Sequence, residues 1–288
     1  MAKLLMLKGL PASGKSTRAK EMVAQGNWLR VNRDLLREML HFGKWSGKNE
    51  DLVVATEKGI ASAALESGIS VVVDDCNLNP KNQTMWHDIA HSKSVSFEIE
   101  DIDTDVGVCL NNDRNREKRV GDHVIVNMAL QYGRFSIPEK GFVLCDLDGT
   151  LFDITHRLHY AKGESKDWGK FFEGIKDDVI RNETVDMLLT YEEQGHKIIF
   201  VSARPERYRE ATEIKILEAF KGYEIGETLI MRGDNDKRDD VDVKRDFFGK
   251  YFAGKYPIHC VIDDRPKVIR MWREIGLEVI DVGEGVEF

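Results

Sequence analysis

Residues 9–17 read Gly-Leu-Pro-Ala-Ser-Gly-Lys-Ser-Thr, a spacing suited to holding a polyphosphate. Gly9 and Gly14 let the backbone turn tightly enough for its N–H groups to approach phosphate oxygens. Lys15 supplies a point charge for the β- and γ-phosphates, and Ser16 a hydroxyl for Mg²⁺. Ser13 and Thr17 complete the nucleotide-binding set. A helix starting at this point would aim its positive dipole end at the anion.

Three further groups fit a phosphoryl transfer. Asp74 and Asp75 follow the apolar run Val71–Val73, where a carboxylate can hold Mg²⁺ or its water shell; the plainer reading is a surface turn with Asn77. Asp34 and Arg37 lie three residues apart after Asn32-Arg33, which puts them on one helix face. There a carboxylate can take the proton of an attacking hydroxyl while the guanidinium grips an acceptor phosphate. A helix cap and a surface ion pair would use the same two residues. The basic cluster Arg114, Arg116, Lys118 and Arg119 is a candidate lid that clamps the donor phosphates, or a solvated helix end.

A second set begins at Asp146-Leu147-Asp148-Gly149-Thr150, directly after the apolar run Phe142–Cys145. Two carboxylates two residues apart at a strand end can divide labour. Asp146 can attack phosphorus and form an aspartyl-phosphate, while Asp148 protonates the leaving oxygen and then activates water. Downstream, Ser202 ends another apolar run with a hydroxyl for a phosphate oxygen. Lys244 (or Lys237) can neutralise the phosphoryl group. Asp263-Asp264 ends a third run with acids suited, together with Asp146 and Asp148, to Mg²⁺. This order of strand-end nucleophile, serine, lysine and paired acids resembles the haloacid dehalogenase superfamily of phosphatases.

Other features carry less. His87 and His91 stand four apart, as zinc-protease ligands do, but Asp88 occupies the place where that motif needs glutamate. His156 and His159 have no evident partner. The four cysteines, Cys76, Cys109, Cys145 and Cys260, show no paired spacing and are expected to be reduced. No apolar run approaches the ~20 residues of a membrane span. The first residues run straight into the phosphate loop, so a cleaved leader is not expected, and a cytoplasmic enzyme is (of the host cell, if phage-encoded).

The net charge of −8 first argues against nucleic acid, yet residues 1–140 balance 19 basic against 19 acidic side chains. Residues 1–48 hold ten Lys and Arg against three acids, and local basic patches bind polyanions even on an acidic protein.

The elements that must position these groups follow from periodicity. Residues 3–7 and 69–73 are expected as buried parallel strands, 94–102 as a third strand, and 16–24, 33–41, 51–67 and 105–117 as helices. The same grammar restarts after the Pro138–Gly141 punctuation. Strands are expected at 142–145, 197–202, 227–231, 259–262 and 278–282, and helices at 183–193 and 207–220. Alternating strands and helices make both halves parallel α/β sheets.

A P-loop kinase followed by an aspartate-nucleophile phosphatase resembles the bifunctional polynucleotide kinase–phosphatases of nucleic-acid end healing, the bacteriophage type in particular. The shared strings are Asn32-Arg33-Asp34, Asp75-Cys76-Asn77-Leu78-Asn79-Pro80, Arg238-Asp239-Asp240-Val241, Ile262-Asp263-Asp264-Arg265 and Met271-Trp272-Arg273. The resemblance implies a P-loop, parallel-sheet 5′-kinase over 1–137 and a Rossmann-like, haloacid dehalogenase-type 3′-phosphatase over 141–288. It implies ATP and Mg²⁺, DNA or RNA ends as substrates (2′,3′-cyclic phosphate included), action alongside a ligase, and a homo-oligomer. Asp34 would be the base on a 5′-hydroxyl, Arg37 would bind the acceptor's 3′-side phosphate, and Asp75 would contact substrate. Arg119 would clamp the donor, with Lys118 and Arg114 as alternatives. In the phosphatase half, Arg157, Arg204 and Asp239 match positions needed for activity, the two arginines as forks on a terminal phosphate. Departures are Ser202-Ala203-Arg204, where Ser-Gly-Arg is expected, and the non-aromatic loop 9–13. A fused small-metabolite kinase and phosphatase would share the generic motifs.

Overall fold

Leu4–Leu7 is apolar on both faces, the pattern of a strand buried within a parallel sheet. The computed structural model describes residues 2–162, 165–221, 223 and 228–283. It divides into two compact units, one ending at Phe135 and the other beginning at Ser136.

In the first unit, β1 (Lys3–Lys8) leads through the phosphate loop into α1 (Lys15–Ala24). Then come β2 (Trp28–Val31), α2 (Arg33–His41), α3 (Gly47–Glu66), β3 (Ser70–Val73), α4 (Pro80–Ser92), β4 (Ser96–Asp101), α5 (Val106–Arg114) and α6 (Asp122–Gln131). The sheet order is β2-β3-β1-β4, with every pair parallel. Alternation along β1 sends Leu4 and Met6 into one core layer with Trp86 and Leu7 into the other with Met22. Truncating the fully buried Trp86 would cost ~3–5 kcal/mol.

Met6 pairs with Val73, β1 runs on to Lys8, and the Gly9 amide donates to the Cys76 carbonyl at 3.0 Å. The phosphate loop and Asp74-Asp75 therefore emerge side by side at the carboxyl edge, where open α/β sheets bind ligands. Helix starts follow their capping chemistry: Asn32 accepts from the Leu35 amide at 3.0 Å, and Ser46 from the Asn49 amide at 3.2 Å.

The second unit repeats the logic. It contains β5 (Phe142–Cys145), β6 (Phe152–Asp153), α7 (Trp168–Glu173), β7 (Val179–Ile180), α8 (Asn182–Glu193), β8 (Lys197–Pro205), α9 (Arg209–Ala219), β9 (Leu229–Arg232), α10 (Asp240–Phe247), β10 (Ile258–Asp263), α11 (Pro266–Ile275) and β11 (Val279–Asp281). The parallel sheet runs β11-β10-β5-β8-β9, and β6 pairs antiparallel with β7. Cys145 pairs with Ile262 on one side and Phe200 on the other. Asp146, Asp263 and Ser202 are thereby brought to one edge, over a core of Val143, Cys145, Phe200 and Ile262.

Several elements differ from periodicity-based expectation. β2, α4 and α6 stand where no element is expected, as do β6, β7, α7, α10 and α11. The helix expected over 105–117 stops at Arg114. In the strand expected over 227–231, residue 227 lies outside the described residues. All four cysteines are free. Among the described residues no helix is long and apolar enough to cross a membrane.

Candidate active sites

The phosphate loop is built for close approach. A Cβ at Gly9 would lie 2.7 Å from both the Ile102 carbonyl oxygen and Ser13 Oγ, so a side chain there would displace the loop. Gly14 enters α1 with φ of 100°, in the left-handed region that glycine adopts without strain. Lys15 is buried; its Nζ donates to the Leu10 carbonyl at 2.5 Å and lies 3.3 Å from Ser13 Oγ. Among the described residues it makes no close ion pair, Asp74 acting on it only at longer range, and a buried ammonium so placed fits an anionic ligand.

The two acids after β3 separate in role. Asp74 is buried, lies near the Ser16 hydroxyl, and pairs with Arg30 at 2.5 Å. Burial raises its carboxyl above the ordinary value, against Ser16 and Arg30, which favour the charged form. Asp75 instead turns to the start of α2 and accepts from the Arg33 amide at 3.0 Å. Asp34 is exposed and Arg37 Nη1 lies 2.5 Å from it, while the same guanidinium pairs with Glu50 at 3.0 Å. Beyond the loop, Arg114 and Arg119 pair with Asp122, and Lys118 with Glu38. Asn112 ties this region to the loop by donating to the Ala12 carbonyl at 3.0 Å.

Sequence reasoning missed Glu57. It is fully buried on α3, accepts from Arg33 Nε at 2.7 Å, and bonds Asp75. Burial, then the Asp75 charge, pushes its carboxyl up to about 8. The folded state therefore keeps a proton that the unfolded chain releases near 4.5. Stability falls as pH rises through that window and levels off above about 8. Glu57→Gln cannot titrate, so its melting temperature should decline less between pH 5 and 8 than that of the wild type. Parallel declines in thermal melts would mean that Glu57 is ionised in the fold.

In the second unit, Asp146 and Asp263 each lie 2.7 Å from the buried Lys244 ammonium. Asp264 completes a buried triad whose ligand oxygens lie within 4.8 Å of one another. Burial and the neighbouring Asp263 push Asp264 up to about 6, and burial among the same acids raises Asp146. One lysine against three carboxylates leaves the cluster short of positive charge, which fits a hard divalent cation with oxygen ligands. Thr150 donates to Asp264 at 3.0 Å and Trp272 Nε1 to Asp263 at 3.2 Å. Gly149, with φ of 85°, sits where a Cβ would collide with the Asp264 carboxylate.

Asp148 does not join that triad. Arg157 Nη2 lies 2.5 Å from it and Arg204 Nη2 2.6 Å. Burial would raise Asp148, but the two guanidiniums override it and hold the carboxyl well below the usual range. Its side chain faces these arginines, whereas the acids grouped in the triad are Asp146, Asp263 and Asp264. Both arginines also grip Asp178, at 2.6 and 2.7 Å. Asp178 is a buried site residue that sequence reasoning missed, because it lies between a two-residue strand and a 3-10 turn and has no motif.

Ser202 is buried beside this group and its Oγ accepts from the Arg204 amide at 3.2 Å. Of the two candidate lysines, Lys244 lies in the cluster and Lys237 is exposed. Asp239 is half-exposed, caps α10, and pairs with Lys267 at 2.7 Å. The neighbouring Asp240 is the buried one; it contacts Arg265 and acts electrostatically on Lys244. Of this pair of acids, the fold buries Asp240 and leaves Asp239 at the surface.

These arrangements define a protein of two phosphoryl-transfer halves, a P-loop unit and a haloacid dehalogenase-type unit. The chain belongs to the polynucleotide kinase family: residues 140–287 match the model described as "Polynucleotide kinase PNKP phosphatase domain". Residues 4–134 match a model described as "AAA domain". The chain is 27% identical over 306 residues to a "Putative bifunctional polynucleotide kinase/RNA ligase" of Autographa californica nuclear polyhedrosis virus, covering 96% of this chain and 42% of that protein. It is 33% identical over 96 residues to the "Bifunctional polynucleotide phosphatase/kinase" of Schizosaccharomyces pombe, covering 33% and 19% respectively. It thus spans less than half the length of these two relatives. A chain of the solved "Pnkp1/Rnl/Hen1 RNA repair complex" is 26% identical, with 99% of this chain and 97% of that one covered and a TM-score of 0.44.

Proposed function

We propose that this chain transfers the γ-phosphate of ATP to 5′-hydroxyl ends of DNA or RNA and removes phosphate, 2′,3′-cyclic phosphate included, from 3′ ends. The observation that carries this reading is the strand-end Asp146 held against the buried Lys244, in a unit of the polynucleotide kinase phosphatase family that shares its chain with a P-loop.

In the first half, Lys15 and the loop amides hold the donor phosphates. Asp34 takes the proton of the 5′-hydroxyl, whose oxygen bonds to the γ-phosphorus as the bond to ADP breaks. Arg37 binds the acceptor's 3′-side phosphate, and Asp75 positions that helix through the Arg33 amide. Arg119, or one of Arg114 and Lys118, closes on the donor.

In the second half, Asp146, Asp263 and Asp264 would hold Mg²⁺, which when bound supplies positive charge beside the transferring phosphoryl group. An Asp146 oxygen bonds to phosphorus while the bond to the 3′ oxygen breaks, and Asp148 gives that oxygen its proton. Water then attacks the aspartyl-phosphate and yields its proton to Asp148, releasing phosphate. Arg157 and Arg204 hold Asp148 ionised before substrate arrives. An incoming phosphate competes for the same guanidiniums, so its arrival loosens Asp148 and raises its carboxyl toward proton donation. Lys244 neutralises the phosphoryl group and Ser202 holds one of its oxygens.

The products are the 5′-phosphate and 3′-hydroxyl that a ligase joins. Acceptor size tests the reading against a small-metabolite kinase. With labelled ATP, a 5′-hydroxyl oligonucleotide should gain phosphate and a free nucleoside should not; the reverse pattern would exclude the assignment.

A further inference from the structure

The helix that carries Asp34 and Arg37 also carries an apolar stripe that the fold leaves bare. Leu35, Met39 and Phe42, spaced to share one face of α2, are 57%, 65% and 85% exposed, and Trp45 just beyond is 73% exposed. Phe42 ends the helix with φ of 51°, a left-handed conformation that penalises a side chain by roughly 1–2 kcal/mol. Neither Phe42 nor Trp45 makes a ring contact among the described residues. Lys44 and Lys48 flank them, both exposed and without an ion pair among the described residues. The segment is nevertheless pinned: the Phe42 amide donates to the Glu38 carbonyl at 2.9 Å, and Asn49 Nδ2 to the Lys44 carbonyl at 3.2 Å.

We propose that Phe42 and Trp45 form a base-stacking platform for the single strand that follows the 5′-hydroxyl end. The proposal rests on the acceptor assignment above. The direction comes from the helix: Asp34 would meet the 5′-hydroxyl and Arg37 the next phosphate, so the strand runs along α2 toward Phe42. Eight residues separate Asp34 from Phe42, about 12 Å at ~1.5 Å per residue. A stacked strand advances ~3.4 Å per nucleotide, so the platform meets the fourth or fifth base. Exposed aromatic rings interleaved with lysines suit single-stranded nucleic acid, whose every base offers a π-face and whose backbone offers charge. A second copy of the chain is the weaker occupant, since lysine is depleted at protein–protein interfaces.

The test uses the full chain with the double substitution Phe42→Ala, Trp45→Ala. Its acceptors are a 5′-hydroxyl oligo(dT) ten-mer and thymidine 3′-monophosphate, which has the reacting hydroxyl and the Arg37 phosphate but no base beyond the first. Stacking is worth ~1–3 kcal/mol per base, so KM for the ten-mer should rise on the order of 5- to 150-fold. The kcat should stay within about twofold, and the mononucleotide kinetics should not change. Trp45→Phe on its own should leave the ten-mer KM near wild type. An unchanged ten-mer KM, or equal losses with both acceptors, overturns the platform. So does a fall in oligomeric state by light scattering in the double variant, which would make the stripe a subunit interface. Wild-type protein that phosphorylates neither acceptor would instead overturn the acceptor assignment itself, and the platform with it.

Discussion

Asp146→Asn should lower release of phosphate from a 3′-phosphorylated oligonucleotide on the order of 10⁴-fold or more while 5′-kinase activity is unchanged. The size follows from removing a nucleophile, whose loss disables the whole catalytic set and leaves only what binding contributes. The fold should survive. Asparagine is nearly isosteric with aspartate, and it removes one of three buried carboxylates that repel one another. It gives up a 2.7 Å pair with Lys244, but Lys244 keeps an equally short pair with Asp263. The check is a single preparation assayed at both ends of the substrate, with thermal melting to confirm folding. Substantial residual phosphatase would mean that the phosphoryl group does not pass through Asp146.

Lys15→Ala should produce the opposite pattern, with kinase activity lost by at least roughly 100- to 1000-fold and the 3′-phosphatase intact. A buried charged donor aimed at developing phosphate charge is worth that much or more. Among the described residues the side chain bonds the Leu10 carbonyl and the Ser13 hydroxyl alone, so its removal costs the loop little and the polyphosphate its main cation. Loss of both activities in either variant would show that the halves do not act independently.

Much of this could be read without coordinates, for a physical reason. In a parallel α/β sheet the chemistry sits just after the carboxyl end of a strand, and a short apolar run followed by Gly or Asp marks that place directly. The phosphate loop after β1, Asp74 after β3, Asp146 after β5 and Asp263-Asp264 at the end of β10 are of this kind, while Ser202 closes the apolar run inside β8. What periodicity did not reveal was created by the fold itself. Asp178 earns its place only when residues 157 and 204 converge on it. Glu57 looks like one polar position on a long helix until Arg33 and Asp75 close over it. That Asp240 rather than Asp239 is buried depends on where α10 starts, since one residue turns a side chain about 100° around a helix of ~3.6 residues per turn. Short helices such as α7 and α10, with six and eight residues, offer too few turns for an apolar period to stand out.

Asp148 shows why geometry matters for mechanism as well as for place. Its spacing from Asp146 suggests a proton donor, yet two guanidiniums hold its carboxyl well below the usual range. A donor held in its charged form until phosphate competes for its partners would avoid idle protonation chemistry.

The central claim is that one chain resets both ends of a broken strand. The direct measurement is a time course on one oligonucleotide bearing a 5′-hydroxyl and a 3′-phosphate, with terminal ³²P transfer from ATP and release of inorganic phosphate followed together in Mg²⁺. The account predicts that both ends convert, that chelation stops both, and that Lys15→Ala and Asp146→Asn each stop one. Conversion at neither end, or phosphate release from small phosphate esters with none from the oligonucleotide, would contradict it.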